Sequence, residues 1–105
     1  MDRISKIREY LKESGEDSFL QHALALEYIK IGKDAEAQKL FEEILQREPD
    51  YLGSYYHLGK LLERIGEAEK AIVVYKKGME VAKSAKDSHS LNELQSACEE
   101  AEDEV

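Results

Sequence analysis

Apolar residues in this chain recur three and four positions apart and rarely alternate with polar ones over the length of a half-buried strand, so the pattern predicts helices throughout. Ile4, Ile7, Tyr10 and Leu11 form the first stripe, which predicts an opening helix within residues 1–15. Two pairs of helical stretches follow, about Ser18 to Ile31 then Ala35 to Arg47, and about Leu52 to Ile65 then Ala68 to Ser84. Gly32 and Gly66 punctuate the pairs, because glycine takes positive φ at a helix end without steric cost and lets the chain reverse. Pro49 closes the first pair, lacking an amide hydrogen and biasing Glu48 away from helical geometry. Leu91, Leu94, Cys98 and Ala101 predict a closing helix, with Ser90 and Glu93 spaced as a capping box. From Glu99 onward the chain is acidic and poor in apolar residues, and fraying is expected there.

The two pairs repeat with a period of 34. Leu24 falls on Leu58, Ala25 on Gly59, Tyr28 on Leu62, Ile31 on Ile65, Gly32 on Gly66, Ala37 on Ala71 and Phe41 on Tyr75. The same shift places Ile7, Tyr10 and Leu11 on Phe41, Ile44 and Leu45, so the opening helix has the pattern of a lone second half-repeat. Small residues at Ala25, Gly59, Ala37 and Ala71 remove bulk where paired helices must approach to about 8–10 Å.

The second unit carries Tyr55-x2-Leu58-Gly59-x2-Leu62 and Ala71-x3-Tyr75; the first carries Leu24-Ala25-x2-Tyr28, Ala37-x3-Phe41 and Pro49. This joint pattern resembles the tetratricopeptide repeat, in the form of small stand-alone bacterial proteins with two repeats between end helices. The resemblance implies an all-α, right-handed helix-pair solenoid in one domain over residues 1–105. Its parts are an N-terminal helix in 1–15, repeat 1 in 18–50, repeat 2 in 51–85, and a C-terminal helix with an acidic tail in 88–105. It also implies a concave inner face, lined by the first helix of each pair, that takes a peptide or protein. Gln21 stands in place of the usual aromatic of the first helix, Gly78 stands opposite Ile44, and the second unit lacks the closing proline. Some family members clamp a peptide's terminal carboxylate on the inner face; the matching positions here carry His22 and Leu26, so that clamp is not reproduced.

Charge narrows the partner classes. The formal net charge is −8, and six of those negative charges lie between Glu93 and Val105, where no basic residue occurs. An acidic chain without a basic stripe is repelled by nucleic acid and anionic membranes, so neither is an expected partner. No apolar run approaches the length of a membrane span, and charged residues interrupt the first residues where a signal peptide would be apolar. Cys98 is the one cysteine, which excludes an internal disulfide and suits a reducing, cytoplasmic setting.

On the second unit's first helix, Tyr55, Leu58, Gly59, Leu62 and Ile65 form the packing stripe, leaving Tyr56, Lys60, Glu63 and Arg64 on the adjoining face as candidate partner contacts. The first unit's first helix carries a second apolar stripe of Phe19, His22, Leu26 and Ile29. Either the opening helix covers it or it forms an exposed groove for a partner or a second copy. Lys30, Lys60 and Arg64 add the expectation of an acidic segment as ligand. His22, His57 and His89 lack a metal-binding spacing, Cys98 lies beside Glu99 and Glu100, which disfavour a thiolate, and adjacent carboxylates diverge around a helix. No metal, no cofactor and no catalysis are therefore expected. A protein-interaction module is the leading expectation, with a structural homo-oligomer as its alternative.

Overall fold

The computed structural model describes residues 2–105; Met1, with which the expected opening segment begins, lies outside them. Six α-helices and no strand occur among the described residues: α1 (Arg3–Ser14), α2 (Ser18–Lys30), α3 (Asp34–Arg47), α4 (Leu52–Arg64), α5 (Ala68–Ser84) and α6 (Ser88–Glu102). They fall into two compact units that divide between Glu48 and Pro49. In the first, α2 packs against both α1 and α3; in the second, α4, α5 and α6 pack mutually.

Side chains and backbone together set the helix ends. Asp2, Asp17 and Asp87 cap α1, α2 and α6, each accepting a hydrogen bond from the amide three residues on. Gly32 and Gly66 have φ of 79° and 85° and close α2 and α4 with the same pair of bonds: Lys33 N–H donates to Tyr28 O and Gly32 N–H to Ile29 O, then Glu67 N–H to Leu62 O and Gly66 N–H to Glu63 O. At the end of α5 the same motif recurs with Lys86 at a φ of 58°, a left-handed conformation that strains a residue bearing a Cβ. Because Ile31 and Ile65 sit at these reversals, they stay 55% and 40% exposed. Ile65 therefore does not complete the α4 packing stripe as its spacing suggested.

Each unit has its own matched interior. In the second, the Tyr75 ring fills the space above Gly59, where a Cβ would come closer than 3.0 Å to three of its atoms. Gly78 in turn accommodates Tyr55 and Leu94. The hydroxyls of both tyrosines are satisfied: Tyr75 donates to Glu63, and Tyr55 donates to Pro49 O at 2.6 Å. In the first unit, Phe41 takes the position of Tyr75, Ala25 that of Gly59 and Ile29 that of Glu63. A second exchange is polar. Ser18, Gln21 and Arg47 occupy the positions of Leu52, Tyr55 and Val81. Arg47 Nη2 donates to Ser18 Oγ at 2.6 Å and Gln21 Oε1 at 2.5 Å, its Nη1 donates to Glu16 at 3.0 Å, and Ser18 donates to Glu48. Ser18 and Gln21 are buried, so this network is what makes their burial tolerable.

The α1 helix is held by buried Ile7, by half-buried Ile4 and Leu11, and by two cationic contacts with α2: Arg3 Nε to Glu27 at 3.2 Å and Arg8 over the Tyr28 ring at 5.7 Å. Arg3 stands where the later second helices carry Ala37 and Ala71, both fully buried. At the other end, α6 stays helical to Glu102, against the expectation of fraying from Glu99. Buried Leu94, Ala97, Cys98 and Ala101 anchor it. Its cap is Asp87, whose carboxylate accepts from both the amide and the hydroxyl of Ser90, so the helix starts earlier than the Ser90–Glu93 spacing implied.

Candidate functional site

One concavity of the second unit lies between α4 and α6. Tyr56 and Lys60 form the α4 wall; His89, Asn92, Glu93, Ser96, Ala97 and Glu100 form the α6 wall, around an open cavity of about 390 Å³. The residues on the α4 wall are available because Tyr55, Leu58, Gly59, Leu61 and Leu62 face the core instead. Lys60 Nζ sits 5.7 Å from the Tyr56 ring centroid and 4.0 Å from a Glu100 carboxylate oxygen. His89 Nε2 lies 3.7 Å from Glu93. Half-buried His57 meets the Tyr56 ring edge-on at 5.4 Å; burial lowers its pKa, against the opposing pull of Glu93.

The other residues singled out in the sequence separate into different environments. Glu63 accepts from the buried Tyr75 hydroxyl, so its carboxylate is engaged in packing α4 against α5. Burial first, and Glu63 second, push the Tyr75 phenol well above its usual pKa. Arg64 is exposed at the end of α4. On α2, Phe19 remains 71% exposed, while His22, Leu26 and Ile29 are half-buried and the His22 ring meets Phe41 edge-on at 5.4 Å. The stripe is thus covered in part, with Phe19 left in solvent. Lys30 pairs at 3.0 Å with Glu27, the carboxylate that also receives Arg3.

Asn92, Ser96 and Glu100 escaped the sequence-based selection. They occupy the register of Tyr56, Lys60 and Arg64 at a shift of 36, not 34. The α5 helix, at 17 residues, is longer than the 14 of α3 and displaces the next helix. Matching the apolar stripe of α6 to that of α4 without fixing the period would have found them. Burial, then Glu102, raises the Cys98 thiol pKa, which favours packing over thiolate chemistry. Among the described residues no group of three or more His, Cys, Asp or Glu is placed to hold a metal ion, and no helix is long and apolar enough to cross a membrane.

No curated protein sequence matches the chain. Solved structures do. A tetratricopeptide repeat domain protein from Salinibacter ruber is 46% identical, with a TM-score of 0.80 over 83% of this chain and 88% of the other. A Bordetella parapertussis protein superposes with a TM-score of 0.85 at 21% identity, over 99% and 90% of the two chains. The TPR2B domain of yeast Sti1, solved as a complex with pHsp70, gives 0.89 at 15% identity over 97% and 82%. A sequence model of the tetratricopeptide repeat matches residues 32–92, more than half of the chain, which, with the period and the small-residue contacts above, places this protein in the tetratricopeptide-repeat family.

Proposed function

We propose that this protein is a non-catalytic interaction module whose α4/α6 groove receives a segment of a partner protein. The tetratricopeptide fold mediates protein–protein interaction. One observation carries the assignment of the groove: Tyr56, Asn92 and Ser96 converge on one cavity from two helices whose larger aliphatic residues pack elsewhere. Aromatic and amide side chains in a concave surface supply contact area and orienting hydrogen bonds at low entropic cost. An acidic segment, expected from Lys60 and Arg64, fits less well, because Glu93 and Glu100 share the groove with Lys60.

The test is a partner isolated by affinity from native lysate and titrated against wild type and a Tyr56→Ala, Asn92→Ala double variant. Affinity should fall about tenfold or more, as for loss of a tyrosine anchor, while helicity by circular dichroism is unchanged. Equal affinities would remove the groove from the binding surface. A second reading, homo-oligomerisation, rests on Phe19 standing 71% exposed; a rise of the scattering mass with concentration in wild type, abolished by Phe19→Ser, would establish it.

A further inference from the structure

An ammonium group already occupies the α4/α6 groove, and it belongs to the protein. Lys60 Nζ sits between the face of Tyr56, at 5.7 Å, and the carboxylate of Glu100, at 4.0 Å. Glu93 contributes a second carboxylate to the same cavity, so the lining holds two carboxylates and one ammonium. An aromatic face beside carboxylates is a setting that stabilises a cation through both the ring quadrupole and direct charge attraction. Lys60 enters it on a flexible stem with 39% of its side chain exposed, so its ammonium can leave for water without disturbing the helix. The backbone of α6 is fixed by Leu94, Ala97, Cys98 and Ala101, which holds the acidic wall in place.

We infer that the groove recognises a basic segment of its partner, and that a partner lysine or arginine takes the seat between Tyr56 and Glu100 that Lys60 fills in the free protein, with Glu93 adding its charge from the same cavity. This rests on the docking role of the groove and reverses the charge expected from Lys60 and Arg64. Lys60 is then an internal competitor, lowering the affinity for weakly basic segments. Excess negative charge on α6 adds attraction for the same class of partner.

The probes are three short, end-blocked peptides in which alanine alternates with lysine, glutamate or glutamine, titrated into labelled protein and followed by amide chemical shifts. The lysine peptide should perturb Tyr56, Asn92, Ser96 and Glu100, and its affinity should fall with added salt. Glu93→Gln with Glu100→Gln should weaken it about tenfold, while Glu99→Gln with Glu104→Gln, which removes equal charge outside the groove, should change it less than about twofold. Lys60→Met, which keeps most of the stem and removes the ammonium, should tighten binding several-fold. Equal loss in the two charge-removing pairs would reduce the effect to general attraction and overturn the proposal, as would weaker binding to Lys60→Met. Groove shifts with the glutamate or glutamine peptide but not with lysine would overturn the basic specificity and leave the docking role standing. If none of the three perturbs the groove and the partner binds the Tyr56, Asn92 double variant normally, both fall together.

Discussion

Gly59 shows how one missing side chain sets a helix contact. The ring of Tyr75 lies where a Cβ on residue 59 would have to be, and Tyr75 is fully buried with its hydroxyl held by Glu63. It therefore has no free direction in which to retreat. In Gly59→Leu, helix propensity favours leucine by close to 1 kcal/mol, whereas overpacking a rigid contact costs about 1–3 kcal/mol and more when backbone must move. Sterics should win, and the variant should be less stable than wild type by at least about 1 kcal/mol in chemical denaturation. A variant of equal or greater stability would mean that α4 and α5 separate freely at this point. Gly78 carries the same logic against Tyr55 and Leu94, so each helix of this pair presents a hole to the other's ring.

At the level of elements, α1 is the least secured helix. Ile7 is its one buried side chain, and its two cationic contacts come from exposed arginines. Yet it covers apolar surface of α2, and burying a side chain the size of isoleucine contributes about 1.5–3 kcal/mol. Deleting residues 1–14 should cost stability of that order, read as a lower denaturation midpoint; an unchanged midpoint would make α1 an ornament on α2. Helix positions were legible in the sequence because the 3.6-residue stripes and the two glycine reversals leave few alternatives. The α2 and α4 helices end one residue before their predicted limits, where Ile31 and Ile65 turn outward at the glycine caps. What escaped was long-range: the Arg47 network joins residues up to 31 apart, and no local spacing announces it. Asp87 as the cap of α6 escaped because the Ser90–Glu93 spacing offered a competing start, and helix beyond Glu99 escaped because the acidic residues there outweighed the one buried contact of Ala101. Of the candidate site, Tyr56 and Lys60 were legible from helical spacing, whereas the α6 wall was hidden by the extra length of α5.

For the molecule as a whole, acid stability brings the separate groups into one measurement. Hydrogen bonds from Ser5 and Ser90 lower the pKa of Asp2 and Asp87, and Lys30 lowers that of Glu27. A carboxylate depressed on folding contributes stability that is complete above its unfolded pKa, about 4, and is lost as pH falls through the folded value. His57 acts at higher pH. Burial lowers its pKa below 6.5, so the unfolded chain takes up a proton first and stability declines as pH drops below about 6.5. Melting temperature should therefore hold level from about pH 7 to about pH 8, decline shallowly below about pH 6.5 and fall steeply below about pH 4, with a separate loss above about pH 9 where the unfolded chain releases the Cys98 and tyrosine protons first. His57→Gln should abolish the shallow decline alone; its persistence would assign that step to another group. The matched interiors have a further consequence, for inheritance. A gene that arises by doubling one repeat starts with two interchangeable halves, and crossing-over between them is harmless. Here Gly59, Tyr75 and Glu63 fit one another, as do Ser18, Gln21 and Arg47, and the corresponding positions of the other unit hold different sets. A crossover that joined α2 to α5 would set Ala25 under the Tyr75 ring, bring Ile29 to its hydroxyl and leave Gln21 without Arg47. Recombinants of this kind should be less stable than the parent chain, so exchange between the two halves is disfavoured and each is free to change on its own outer surface.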